Sequence, residues 1–180
     1  MKLRRALPPA PFPTLAPWLP ADDQSEAARV VRRALAYCGV METAPNRGPA
    51  IDRWLRWANV PESLIEAGRG NWCGAFAGGV LREEGLQAPL DYANCDAWLP
   101  YVVPGVRPRP GDLILYGAPS DARHIGIIVS DQPGDTLLTV EGNRSWGGVS
   151  NNGVAVDIGP QTRRDVIGFI PLEPFSTGTP

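Results

Sequence analysis

Cys73, in the run Asn71-Trp72-Cys73-Gly74-Ala75-Phe76, and His124, which opens His124-Ile125-Gly126-Ile127-Ile128-Val129-Ser130, are the two side chains whose types pair most readily for chemistry. The thiolate is the reactive form of cysteine. A neighbouring imidazolium lowers the thiol pKa, and the same ring can later return a proton to a leaving group. The chain holds a single histidine, so any such base must be His124. Taken alone, each residue also has an ordinary reading: Cys73 as a small core side chain, His124 as a satisfied strand-end residue.

The residues after His124 sharpen the pairing. A turn-rich segment, Asp131-Gln132-Pro133-Gly134-Asp135, leads into a second apolar run, Thr136-Leu137-Leu138-Thr139-Val140, that ends in Glu141-Gly142-Asn143. This pattern predicts an antiparallel hairpin. A turn over residues 131–134 pairs Ser130 with Asp135 and sets His124 opposite Glu141. A loop longer by one would set His124 against Gly142 instead, so an even loop or a bulge is required. Side chains alternate along a strand, so Glu141 and Asn143 share one face, and either can orient the imidazole. A nucleophile, a base and an orienting group form the generalised triad, in which the orienter fixes the tautomer that leaves one ring nitrogen facing sulfur. The ordinary reading of Glu141 and Asn143 is a solvated strand end.

Trp72-Cys73 opening a helix, Pro110-Gly111-Asp112 opening a strand, His124-Ile-Gly-Ile-Ile-Val, and then Glu141-Gly-Asn143 together resemble the CHAP family. These are the cysteine, histidine-dependent amidohydrolases and peptidases, relatives of the NlpC/P60 peptidases. The run Glu42 to Trp54, with Asn46-Arg47-Gly48-Pro49 and Ile51-Asp52, is similar to the region before the cysteine in a phage and bacterial subgroup of such proteins. The resemblance covers roughly residues 22 to 171. It implies Cys73 as nucleophile, His124 as base, Glu141 as the residue orienting His124, and Asn143 as a supporting polar group. It also implies a papain-like α+β fold and cleavage of an amide bond in the peptide part of peptidoglycan, by an N-acetylmuramoyl-L-alanine amidase or an endopeptidase. A phage lysin, an autolysin and an antibacterial effector all fit that reading. A non-catalytic wall-binding or phage structural component that keeps the fold is the alternative, against which the complete Cys, His, Glu and Asn set argues. Calcium-binding members carry an aspartate cluster ahead of the cysteine, and this sequence has none. The expected chemistry needs no metal and no organic cofactor, and one histidine with dispersed cysteines gives no paired metal-ligand spacing.

The elements that must position these residues are legible in outline. Asp23 and Glu26 have capping-box spacing, and Ala27, Val30, Val31, Ala34, Leu35 and Cys38 come after them at helical intervals. Gly48-Pro49 starts a second helix with Ile51, Trp54, Leu55 and Ala58 on its apolar face, and Asn59-Val60-Pro61 ends it before a short turn over 62–67. A third helix runs from Cys73 to Glu84 and is closed by Gly85. Cys73 in its first turn sets sulfur at the positive end of the helix dipole and makes the Cys73 N–H a candidate oxyanion donor. Asn71 is a candidate second donor, or simply a cap. Gly74, Ala75, Ala77, Gly78 and Gly79 make a costly helix by propensity, which predicts close packing against the sheet. Cys95, in a short helix-like segment, has no partner motif and is expected as buried filler. Strands are predicted over 112–116, 125–130, 136–140, 154–158 and 166–170. Helices first and strands afterwards mean α+β: N-terminal helices, with the nucleophile at the N-terminus of a helix packed on an antiparallel sheet. Trp98, Tyr101, Arg144 and Trp146 can line a substrate groove, while Trp98 equally fits the core and Trp146 a loop anchor.

At 180 residues the chain suits one core. Its 17 basic and 19 acidic residues leave no charge excess to draw it to nucleic acid or anionic lipid. No stretch reaches the apolar length of a membrane span. Lys2, Arg4 and Arg5 mimic the start of a signal peptide, but prolines at 8, 9, 11, 13, 17 and 20 interrupt any apolar core. Residues 1–21 are therefore expected as a Pro-rich arm, 22–172 as the CHAP-like catalytic domain and 173–180 as a flexible tail. Action on the cell wall, periplasmic or extracellular, would require release or secretion, and the sequence names no delivery or immunity partner.

Overall fold

Helical signals precede strand signals along the chain, and the elements form in that order. The computed structural model describes residues 23–144, 153–163 and 165–176. The expected arm over 1–21, Trp146 and the last residues of the expected tail lie outside them. Four helices, α1 (Glu26–Ala36), α2 (Pro49–Trp57), α3 (Glu62–Glu66) and α4 (Cys73–Glu83), lead through a 3-10 segment (Cys95–Tyr101) into five strands. These are β1 (Leu113–Ala118), β2 (Asp121–Gln132), β3 (Thr136–Arg144), β4 (Ala155–Thr162) and β5 (Val166–Ile170). They form one antiparallel sheet in the order β4-β3-β2-β1-β5, with α4 packed on β2 and β3. No helix among the described residues is long and apolar enough to cross a membrane.

Local chemistry accounts for the helix starts. Ser25, not Asp23, caps α1: its hydroxyl accepts from the Ala28 N–H, while the Asp23 carboxylate accepts from Ser25 N–H. The capping-box spacing misplaces the cap by two residues, because a serine next to the helix can serve the same orphan donor. Pro49 opens α2, where its missing N–H costs nothing, and Asp52 accepts from the Gly48 N–H while pairing with Arg47 at 2.8 Å. Ile51, Trp54 and Leu55 on α2 are buried, and burial of an aliphatic side chain the size of Ile51 or Leu55 contributes about 1.5–3 kcal/mol.

The glycines of α4 explain how the helix is held, and they correct one expectation. A Cβ on Gly74 would stand 2.4 Å from the Tyr92 carbonyl oxygen, one on Gly78 2.2 Å from the Tyr92 ring, and one on Gly79 2.5 Å from the Trp54 ring. These glycines therefore face the 92–93 segment and α2 rather than the sheet. Close approach to the sheet is supplied from the other side, by Gly142 of β3, whose Cβ would stand 2.6 Å from Phe76. Trp54 stacks near Trp72 and meets Phe76 edge-on, so α2 and α4 share an aromatic core.

The tail begins later than expected. Glu173–Phe175 form a 3-10 turn, and Phe175 is buried against Trp98 and Tyr101, so the packed chain continues past 172. An aromatic side chain with a waiting pocket outweighs the fraying that its terminal position suggests.

Gly74→Ala should lower stability by about 1–3 kcal/mol, because the new methyl meets backbone oxygen that cannot rotate away. An unobstructed Gly→Ala change in a helix would instead gain up to about 1 kcal/mol. Urea unfolding of the two proteins distinguishes these signs.

Candidate active site

Cys73 is the first residue of α4 and is only 1% exposed. As a first-turn residue its N–H has no intrahelical acceptor, and the helix presents its positive end to the sulfur. The Cys73 pKa is held well below the usual thiol range. Hydrogen bonding with Cys95 is the largest cause; burial opposes it, and the hydrogen bond and charge of His124 and the Gly74 N–H act with Cys95. The two sulfurs of Cys73 and Cys95 lie 3.5 Å apart. Neither Cys73, Cys95 nor Cys38 is in a disulfide.

His124 reaches the site from β2, but through a register other than the one predicted. Gln132 pairs with Thr136, which leaves a turn over 133–135, with Gly134 and Asp135 both at positive φ. An irregularity between Ile128 and Ser130 then shifts the ladder so that Ile127 pairs with Val140. Continued by one step, this sets Glu141 opposite Gly126 rather than opposite His124. The displacement from the expected register is even, so His124 and Glu141 still share a face. A diagonal neighbour on a sheet lies within reach of a long side chain. Glu141 spans that diagonal and places Oε2 3.0 Å from His124 Nε2. Gly126 makes the reach feasible, because a Cβ there would stand 2.7 Å from Glu141 Cγ.

The contact answers which polar residue meets the imidazole: it is Glu141. With Nε2 on the carboxylate, Nδ1 is left for sulfur. Nδ1 is buried and makes no hydrogen bond of ordinary geometry, yet Cys73 is close enough for sulfur and imidazole to shift each other's pKa. Burial disfavours the charged imidazole, but hydrogen bonding and charge from Cys73 and Glu141 outweigh it and raise His124 to about 10. The arrangement favours a thiolate beside an imidazolium.

Glu141 is itself 1% exposed and is held by three residues that the sequence did not single out, Thr139, Tyr116 and Gln161, and by Arg144, which it offered only as a groove residue. Its Oε1 accepts from Thr139 Oγ1 at 2.8 Å and from the Tyr116 hydroxyl at 3.1 Å. Its Oε2 accepts from Gln161 Nε2 at 3.3 Å and lies 3.8 Å from Arg144 Nε. Burial opposes its charge, but His124, Arg144 and Thr139 more than offset that and lower the Glu141 pKa. Burial and the adjacent carboxylate push the Tyr116 hydroxyl up, so it stays a donor. Strand alternation could have flagged Thr139, two residues before Glu141, and pairing across β1 and β2 could have flagged Tyr116, which stands opposite His124. Nothing local marks Gln161, which comes from β4.

The remaining candidates divide between the core and the surface. Asn143 is fully buried at positive φ, one residue past the close contact of Gly142, and its carbonyl accepts from Gly153 N–H. Asn71 is exposed ahead of α4. Trp98 is a core residue rather than a groove wall, buried on Phe175 and donating to the Tyr92 carbonyl at 2.9 Å. Arg144 is likewise buried, a counter-charge for Glu141 rather than an exposed groove residue, while Tyr101 is half-buried against Phe175. Trp146 lies outside the described residues. Cys38 packs against the core, and burial pushes its thiol up to about 12. Among the described residues no three His, Cys, Asp or Glu side chains converge to hold a metal ion.

No family model and no curated protein matches the chain. Among solved structures, a variant of the Resuscitation Promoting Factor Interacting protein RipA matches with a TM-score of 0.50 and 17% identity, over 81% of this chain and 60% of its own. A protein from Staphylococcus aureus subsp. aureus Mu50, described as similar to lipoprotein of the NLP/P60 family, matches with a TM-score of 0.47 and 14% identity, over 83% of this chain and 42% of its own. The chain thus spans less than two thirds of either neighbour. The likeness to RipA shows the fold, the papain-like α+β arrangement expected from the sequence.

Because the chain has one histidine, a single imidazole resonance reports the site. Its NMR titration should have a midpoint near 10, well above the ordinary 6.5. Cys73→Ala and Glu141→Gln should each lower that midpoint, since each removes a negative charge that favours the protonated ring. A wild-type midpoint near 6.5 would exclude the ion pair.

Proposed function

We propose that the chain is a cysteine amidohydrolase of the CHAP type that cleaves an amide bond in the peptide part of peptidoglycan. The observation that carries the proposal is the buried line of Cys73, His124 and Glu141, with sulfur at the start of a helix and the carboxylate 3.0 Å from the imidazole. The fold shared with RipA supports the chemistry class, and the motif resemblance supplies the substrate class.

In the proposed reaction the Cys73 thiolate attacks the amide carbonyl carbon, and the carbonyl electron pair moves to oxygen. The Cys73 backbone N–H is the nearest candidate donor to that oxyanion. Collapse expels the amine, which takes its proton from the His124 imidazolium, and leaves a thioester. The neutral imidazole then removes a proton from water as the water attacks the thioester. The second collapse releases the acid and restores the thiolate and imidazolium. Glu141 holds the ring so that one nitrogen faces sulfur, and it stabilises the positive charge that the ring carries. Asn143, beside it, supports this end of β3.

Acyl chemistry is common to a muramoyl-alanine amidase and a stem or bridge endopeptidase, and the products distinguish them. Purified peptidoglycans of several stem and bridge types, incubated with the wild type, should release soluble fragments identifiable by mass spectrometry. Cys73→Ala should lower that release by more than about a thousandfold. Undiminished hydrolysis by Cys73→Ala, or no product from any wall with a folded wild type, refutes the proposal.

A further inference from the structure

The mechanism leaves one buried reactive group unused. Cys95 opens the 3-10 segment and is 7% exposed, with its sulfur 3.5 Å from that of Cys73. The contact is built rather than incidental. Gly74 and Gly78 admit the Tyr92 and Ala93 backbone and the Tyr92 ring onto α4. The Trp98 indole then ties the same segment by its bond to the Tyr92 carbonyl, and Asn94 caps the turn through Asp96 N–H. Cys95 is delivered to the first turn of α4 by both devices.

We infer that Cys95 is a neutral donor whose S–H points at the Cys73 sulfur and stabilises the thiolate, an inference that rests on the reading of Cys73 as nucleophile. Either sulfur can donate on distance alone. The surroundings decide which one keeps the proton. Cys73 faces the His124 imidazole from β2, itself backed by Glu141 from β3, and takes the Gly74 N–H from its own helix. Cys95 has the Asp96 carboxylate beside it, and Cys73, burial and that carboxylate all push its thiol upward. The negative charge belongs on Cys73 and the proton on Cys95. A thiol is a weak donor to a neutral acceptor, but a charged acceptor strengthens any such bond.

Donation predicts more than packing does. The rate of iodoacetamide alkylation at Cys73, tracked against pH by peptide mass spectrometry, should rise to its plateau with a midpoint below that of an ordinary thiol. Cys95→Ala and the volume-filling Cys95→Val remove the donor and should raise this midpoint by about one pH unit, the shift from one lost hydrogen bond to a charge. Cys95→Ser keeps a donor and should stay close to the wild type. Two donor-less variants guard against failure of either to fold, which circular dichroism checks. An unchanged midpoint in the folded donor-less variant overturns the inference. So does a rise in Cys95→Ser as large as in Cys95→Val, since shape rather than a proton would then be responsible. The alkylation needs no peptidoglycan: a failed wall assay would sink the proposed function alone, and an unmoved midpoint alongside Cys73-dependent hydrolysis would sink this inference alone.

Discussion

A carboxylate shut away from water organises this protein. Removing an unpaired charge from solvent costs several kcal/mol even after relaxation, so Glu141 can remain ionised only if donors surround it. They come from every strand near it: Tyr116 on β1, His124 on β2, Thr139 on β3 and Gln161 on β4. The strand order β4-β3-β2-β1 is what brings these four together, and a permuted sheet would strand the charge. Arg144 supplies the formal counter-charge within the same strand. With the guanidinium, the carboxylate, the imidazolium and the thiolate counted together, the buried group carries two positive and two negative charges. Each ion has a neighbour of opposite sign.

How much of this is legible in the sequence depends on whether the cause is local. That His124 and Glu141 share a face is a consequence of strand alternation, and an even register error leaves it intact. The true register is not, because it depends on an irregularity at Val129 and on a turn whose Gly134 and Asp135 both take positive φ. Neither has a distinctive spelling beyond the turn residues themselves. Glycines in α4 announce that something approaches closely, but not what. Only the folded chain shows the Tyr92 segment and Trp54 in contact with them.

Cys95 illustrates the same limit from the functional side. No motif surrounds it, and as a solitary cysteine in a short turn it suggests filler. Its place beside Cys73 arises from tertiary contacts made by Gly74, Gly78 and Trp98, residues whose own types suggest only packing. Arg144 errs in the opposite direction, and Trp98 takes the core place that was one of its two readings. A cation after Glu-Gly-Asn and an aromatic before the sheet suggest a substrate surface, whereas burial makes one a counter-charge and the other a core anchor. Phe175 likewise shows that a terminal aromatic is decided by whether a pocket awaits it.

The burial of Cys73 sets the terms for how its charge can be stabilised. A helix N-terminus contributes about 0.3–1 kcal/mol to a nearby anion, and up to about 2 kcal/mol when partly buried. That falls short of the several kcal/mol that desolvating an ion costs. The helix start alone therefore cannot hold a thiolate at a site 1% exposed, and the Cys95 hydrogen bond and the His124 imidazolium must carry the difference. Glu141 acts at one remove, because its carboxylate, 3.0 Å from Nε2, favours the charged ring that in turn favours the thiolate. A second cation beside Cys73 would strengthen the thiolate further but would repel His124 and disturb the balance of charges. A neutral donor does neither. At the remaining side of the sulfur, the one facing the 3-10 segment, the chemistry calls for a proton without a charge, and the chain places a thiol there.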